Sequence, residues 1–181
     1  MINTFSNALE KVTSYAETIG LSVSTDRTDL DPFFKGDLDG KNIWLAADLD
    51  DEEKLFNLLH LIGHSIQWNT DQALFFLGST VHSKPTERTI LSLYQYEWEA
   101  NCYALFILQY LGFKSLRTWL YDNWKEDVNY LMQYYKTGKK EKILPQNRVP
   151  AVEIIPKACP LGVVFTAKKT SRDGIVINFN I

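Results

Sequence analysis

His60 and His64 stand four residues apart in the stretch Asp50 to Trp68, DDEEKLFNLLHLIGHSIQW. The stretch reads as one helix. On a helix, imidazoles at i and i+4 lie one turn apart, about 40° round the axis, and can grip one metal ion. Leu55, Leu58, Leu59, Ile62 and Ile66 form the apolar stripe, and the histidines lie roughly opposite it with Glu53, Asn57 and Gln67. A second stretch, Tyr96-Glu97-Trp98-Glu99-Ala100-Asn101, sits within another helical pattern. There Glu97, Ala100, Asn101, Ala104 and Leu108 share one stripe, and the small Ala100 and Ala104 permit close approach of a neighbouring helix. If that neighbour is the histidine helix, Glu97 supplies a third ligand, and Asn101 orients an imidazole from behind. The competing reading leaves Glu97 and Glu99 exposed to solvent.

A hydrolytic zinc helix carries H-E-x-x-H, in which the Glu is general base toward the water that the ion activates. Here the five residues are His60-Leu61-Ile62-Gly63-His64, and Leu61 can neither take nor give a proton. Three functions stay open. The chain binds a metal, a peptide or a protein with impaired proteolysis; or it is an active metallohydrolase with a displaced base; or it is an interaction module in which His60, His64 and Glu97 form a metal-free polar network. Of the displaced bases, Glu53 lies about 10 Å along the helix from His60, and Glu99 faces about 160° from Glu97. Asp71 follows the helix at a position that the pattern does not fix. His82, the third histidine, is a candidate ligand on a loop, where a histidine is ordinarily just solvated.

The elements that must hold these residues follow from hydrophobic period and punctuation. Residues 4–19 read as a helix ended by Gly20, and 21–25 as a short strand before a polar turn at 26–32. Residues 33–47 read as a hairpin turning at Asp39-Gly40. Asp48, Asp50 and Asp51 suit the N-terminus of the histidine helix. Residues 69–84 look irregular, with a buried apolar piece at 73–77. Thr86 caps a long helix ending near Leu111 and Gly112, and Ser115 caps another over 116–136, with a break expected near Asn123 and an end at Gly138. Residues 139–150 read as a linker, and 152–155, 161–167 and 175–181 as strands. The fold class is α+β, with a main domain at 1–144 and a C-terminal β extension at 145–181.

With 181 residues and 45% hydrophobic content, the chain suits one core. A net charge of −3 argues against a nucleic-acid surface, and the short basic cluster at 136–142 reads as a solvated loop. No signal peptide or membrane span is visible. Two cysteines, Cys102 and Cys159, form no disulfide framework and suit a reducing cytoplasm.

The order of these motifs resembles the ImmA/IrrE family of zincin-like metallopeptidases. The likeness rests on a hairpin ending Ile43-Trp44-Leu45, then Leu58-Leu59-His60-Leu61-Ile62-Gly63-His64, then Glu97-Trp98-Glu99-Ala100-Asn101-Cys102-Tyr103-Ala104, and covers roughly residues 10–110. The family pattern is H-E-x-G-H followed by E-x-x-A-N. It implies a zincin-like helical core and zinc held by His60, His64 and Glu97, with Glu99 second choice for the carboxylate. It also implies bacterial cytoplasmic proteins that act on helix-turn-helix repressors, making a transcriptional regulator a candidate partner. The family's general base falls on Leu61, where this chain departs from the pattern.

Overall fold

The computed structural model describes residues 4–30, 35–80 and 85–139. Helix α1 (Thr4–Thr18) leads into strand β1 (Ser22–Arg27), and the hairpin β2 (Gly36–Leu38) and β3 (Asn42–Ala46) follows. Helices α2 (Asp51–Thr70), α3 (Gln72–Ser79) and α4 (Glu87–Tyr110) come next, then a 3₁₀ turn (Lys114–Leu116) and α5 (Arg117–Thr137). The α+β class expected from the sequence is what the described residues form. Expectations for residues 140–181, including the strands, most of the linker, the domain boundary and Cys159, lie outside the described residues. So does His82.

The sheet is mixed, in the order β1-β3-β2: β3 pairs parallel with β1 (Val23 opposite Ile43) and antiparallel with β2 (Asp37 opposite Trp44). The expected Asp39-Gly40 turn closes the hairpin. Asp39 Oδ1 accepts from the backbone N–H groups of Lys41 and Asn42, and Gly40 takes a φ of 90° that a side chain would resist. The turn is also tied to α2, because the Gly40 carbonyl accepts from Ser65 Oγ and Asn69 Nδ2.

The start of α2 is set by a capping box. Asp50 accepts from the Glu53 N–H while Glu53 reaches back to the Asp50 N–H. Its apolar stripe is buried as expected, and Leu55, Leu58, Leu59 and Ile62 have no exposed surface. The opposite side is not a solvated face, however, because Gly63, His64 and Gln67 are buried against α4. Gly63 explains the approach: a Cβ there would lie 2.2 Å from the carbonyl oxygen of Ala100. Thus α2 is sandwiched between α1 and the sheet on one side and α4 on the other, and α5 covers α4.

Two local expectations are corrected. Residues 72–79 form a helix and are not irregular: Asp71 ends α2 through its backbone N–H and caps α3 through its side chain, so the two helices join without a loop. Helix α5 is continuous through Asn123, and Ser115 is not its cap. The 3₁₀ turn leads into it, and Leu116 at the N-cap offers no side-chain bond.

Candidate metal centre

Two helices meet at the cluster. α2 contributes His60 and His64 one turn apart, α4 contributes Glu97, and the Gly63–Ala100 contact fixes the separation of the two helices. His64 Nε2 lies 2.9 Å from His60 Nε2 and 3.1 Å from Glu97 Oε2, and His60 Nε2 lies 3.3 Å from that oxygen. In a tetrahedral site with bonds of about 2.0–2.1 Å, neighbouring ligand atoms stand about 3.3 Å apart. The triangle is therefore close enough to hold one metal ion with little adjustment. Glu97 and His64 are buried, and His60 is half-buried.

The surroundings fix how each ligand faces. Gln67 Nε2 donates to the Tyr96 carbonyl and to Glu99 Oε2, so its Oε1 accepts from His64 Nδ1, 2.9 Å away. That places the proton of a neutral His64 on Nδ1 and leaves the Nε2 lone pair facing the triangle, as ligation requires. Tyr96 stacks on His64 with centroids 4.4 Å apart, and its hydroxyl accepts from Trp68 Nε1. Tyr135, from α5, donates to Glu97 Oε1 at 2.8 Å and leaves Oε2 to the histidines.

His60 is held differently. Asn101 Nδ2 lies 3.1 Å from its Nδ1 and also donates to the Glu97 carbonyl, so a neutral His60 carries its proton on Nε2. Asn101 Oδ1 is buried and has no hydrogen-bond partner. Turning the amide over presents Oδ1 to His60 Nδ1–H and frees Nε2 for a metal, and it gives up the bond from Nδ2 to the Glu97 carbonyl. The donor set thus fits an ion, with His64 and Glu97 ready as they stand and His60 after one amide rotation.

The charges are strongly coupled. Burial favours protonated Glu97, but the neighbouring His64 charge and the hydrogen bonds from His60 and His64 outweigh it and hold the carboxylate well below its usual range. Burial also opposes a charged His60, and the hydrogen bond and charge of Glu97 reverse that, raising its pKa. Burial raises the Tyr96 and Tyr135 hydroxyls well above their ordinary range, so both stay neutral phenols.

His60, His64, Glu97 and Asn101 are therefore brought together, as the spacing suggested. Glu99 is outside the triangle, bonded by Gln67. Glu53 and Asp71 are committed to helix caps. Leu61 is half-buried and packs towards the hairpin: a Cβ on Gly36 would lie 2.7 Å from Leu61 Cδ1. Sequence reasoning missed Tyr135 and Asp127 of α5. Asp127 is half-buried, its carboxyl is pushed up to about 6 by burial, and it interacts electrostatically with both His60 and Glu97.

Comparisons with protein-family models, curated proteins and solved structures give no match. Among the described residues no helix is long and apolar enough to cross a membrane. The described residues thus form an α+β fold whose two central helices carry a His-His-Glu group, with His64 and Glu97 buried and His60 half-buried.

Proposed function

We propose that this protein holds a zinc ion at His60, His64 and Glu97 and acts on a peptide or protein as a metallopeptidase-like protein of the ImmA/IrrE kind, with a zincin-like core and impaired proteolysis. The observation that carries the reading is the convergence of His60 Nε2, His64 Nε2 and Glu97 Oε2 within 3.3 Å of one another. When bound, such an ion polarises a carbonyl and lowers the pKa of a water. The chain's own groups do the rest: Gln67 and Asn101 set the imidazoles, Tyr135 holds the carboxylate, and Leu61 leaves the usual proton acceptor missing. Loss of a positioned base costs about 10²–10⁴ in rate. A cytoplasmic transcriptional regulator is a partner consistent with the resemblance.

The experiment is elemental mass spectrometry of the purified protein beside His64→Ala. One zinc per chain, lost in the variant, supports the reading. No metal in either after zinc is offered overturns it. A second reading, a metal-free interaction module, is favoured by the amide N–H of Asn101 facing His60 Nδ1. That pairing completes a self-satisfied network without an ion, and the same measurement separates the two.

A further inference from the structure

Between helices α4 and α5 lies a half-open cleft of about 310 Å³, a volume that includes space open to solvent. Ligand pockets start at about that size. Trp98, Asn101 and Leu105, at i, i+3 and i+7 on α4, line one wall, and Leu120, Tyr121 and Trp124 of α5 line the other. No charged side chain lines it. The Trp98 and Trp124 rings meet edge-on with centroids 4.0 Å apart, and Tyr121, 42% exposed, packs beside both at 6.5 and 6.0 Å.

The polar atoms of this lining are unmatched. Trp98 Nε1, Trp124 Nε1 and Asn101 Oδ1 are all buried without a hydrogen-bond partner. Trp124 is 3% exposed and Asn101 7%. Other indoles of the chain are matched: Trp68 Nε1 donates to Tyr96 and Trp119 Nε1 to Glu52. A buried donor or acceptor left unmet costs its full desolvation. Two donors and one acceptor on a single cleft call for an occupant that carries the complement. With no charged group in the wall, a charged occupant would be buried unpaired, so the occupant is neutral.

We propose that this cleft binds a small neutral molecule with a flat apolar body and an amide edge. The body packs on the aromatic wall, the amide oxygen accepts from the two indole N–H groups, and the amide N–H donates to Asn101 Oδ1. The three protein atoms lie beneath the cleft surface, so Tyr121, the exposed ring beside both indoles, turns out as the molecule enters. The occupant also bears on the His60 side, and this half of the inference rests on the metal reading above. The other arm of the Asn101 amide, Nδ2, faces His60 Nδ1 and the Glu97 carbonyl. An occupant bonded to Oδ1 holds the amide that way round, and with it the His60 tautomer whose proton is on Nε2. Zinc needs the amide turned over. Occupant and ion therefore weaken each other, by the same factor in both directions.

The probe is benzamide, titrated into the nitrogen-15-labelled full chain in chelator and followed by the indole N–H signals in NMR. Toluene, which has neither polar group, and N,N-dimethylbenzamide, which lacks the N–H, are the controls. The expected result is a saturable downfield movement of the Trp98 and Trp124 signals, with those of Trp68 and Trp119 unmoved. Trp98→Phe and Trp124→Phe assign the signals, and if either fails to fold, triple-resonance assignment of wild type does so. N,N-dimethylbenzamide should bind about tenfold more weakly, the worth of one hydrogen bond. Toluene binding as tightly as benzamide overturns the proposal, because the polar atoms then select nothing. So does the absence of a saturable shift, which leaves water as their partner, and so does movement of Trp68 and Trp119 in place of Trp98 and Trp124. Zinc is then titrated against a competing chelator with and without saturating benzamide. A zinc Kd raised about tenfold or more is expected, since one hydrogen bond must be given up. An unchanged zinc Kd beside intact indole shifts overturns the coupling. Wild type that binds no zinc sinks the metal reading itself, and the indole shifts then decide the cleft alone.

Discussion

Asn101 decides whether the cluster is a metal centre or a proton-sharing network. Its donor faces His60 Nδ1, and its buried acceptor has no partner. Asn101→Ala removes the support behind the imidazole, and zinc affinity should fall about 10- to 100-fold, the usual cost of losing a group that orients a ligand. A competition titration measures this, and unchanged affinity would mean that His60 needs no orienting partner. Leu61 makes the complementary prediction. Leu61→Glu should raise peptide hydrolysis by about 10²-fold or more, read with a quenched fluorogenic peptide, because it restores a proton acceptor between the ligands. Wild type already cleaving as fast as that variant would refute impairment. His60, His64, Glu97 and Asn101 were legible from helical spacing and from polar side chains on a stripe otherwise fit for packing. Gln67 was legible only as a polar neighbour, since its bonds to Tyr96 and Glu99 cross between helices. Asp127 and Tyr135 were invisible, because nothing local to α5 says that it lies over Glu97.

The two ligand-bearing helices can meet because neither has bulk at the crossing. In Gly63→Ala the added Cβ would fall 2.2 Å from the Ala100 carbonyl oxygen and 2.7 Å from its carbon, and backbone cannot yield as a flexible side chain can. The helices must separate. The expected cost is about 1–3 kcal/mol in chemical denaturation, with weaker zinc binding, since His64 and Glu97 lie on opposite sides of the crossing. A variant as stable as wild type that binds zinc equally well would show that the crossing does not position the site. A similar constraint acts through α3, where a Cβ on Gly78 would meet the Tyr96 hydroxyl at 2.1 Å. Hydrophobic period and caps revealed α1, α2, the hairpin and α4. Helix α3 was hidden because Asp71 serves two helices at once, leaving none of the loop residues that normally mark a boundary. The expected break at Asn123 does not occur, as Asn123 Nδ2 bonds back to the Trp119 carbonyl within the helix.

At the scale of the molecule, the buried charges make stability depend on both pH and metal. Without an ion, the depressed Glu97 pKa contributes stability that is present above the ordinary carboxylate range near about 4.3 and lost as pH falls below it. The raised His60 pKa contributes stability that is full below about 6.5 and lost as pH rises through its folded value. Asp127 acts in the same direction as His60 but at lower pH: its carboxyl, raised to about 6, lowers stability progressively between the ordinary carboxylate range near about 4 and pH 6. The metal-free protein should therefore be most stable near about pH 4.5 and weaken towards pH 7.5. Zinc reverses the trend. It competes with protons for the imidazoles, so its contribution vanishes in acid and is complete above about pH 7. At a hundredfold excess over Kd the gain is about 2.7 kcal/mol, or roughly 5–10 °C in Tm for a chain of this size. Calorimetry at pH 5.5 and 7.5, with chelator and with zinc, should show the metal-free Tm falling between the two and the zinc-induced shift growing. A metal-free Tm that rises with pH would mean that the Glu97–His60 pair does not govern stability. A zinc shift equal at both values would mean that the ion binds somewhere other than these histidines.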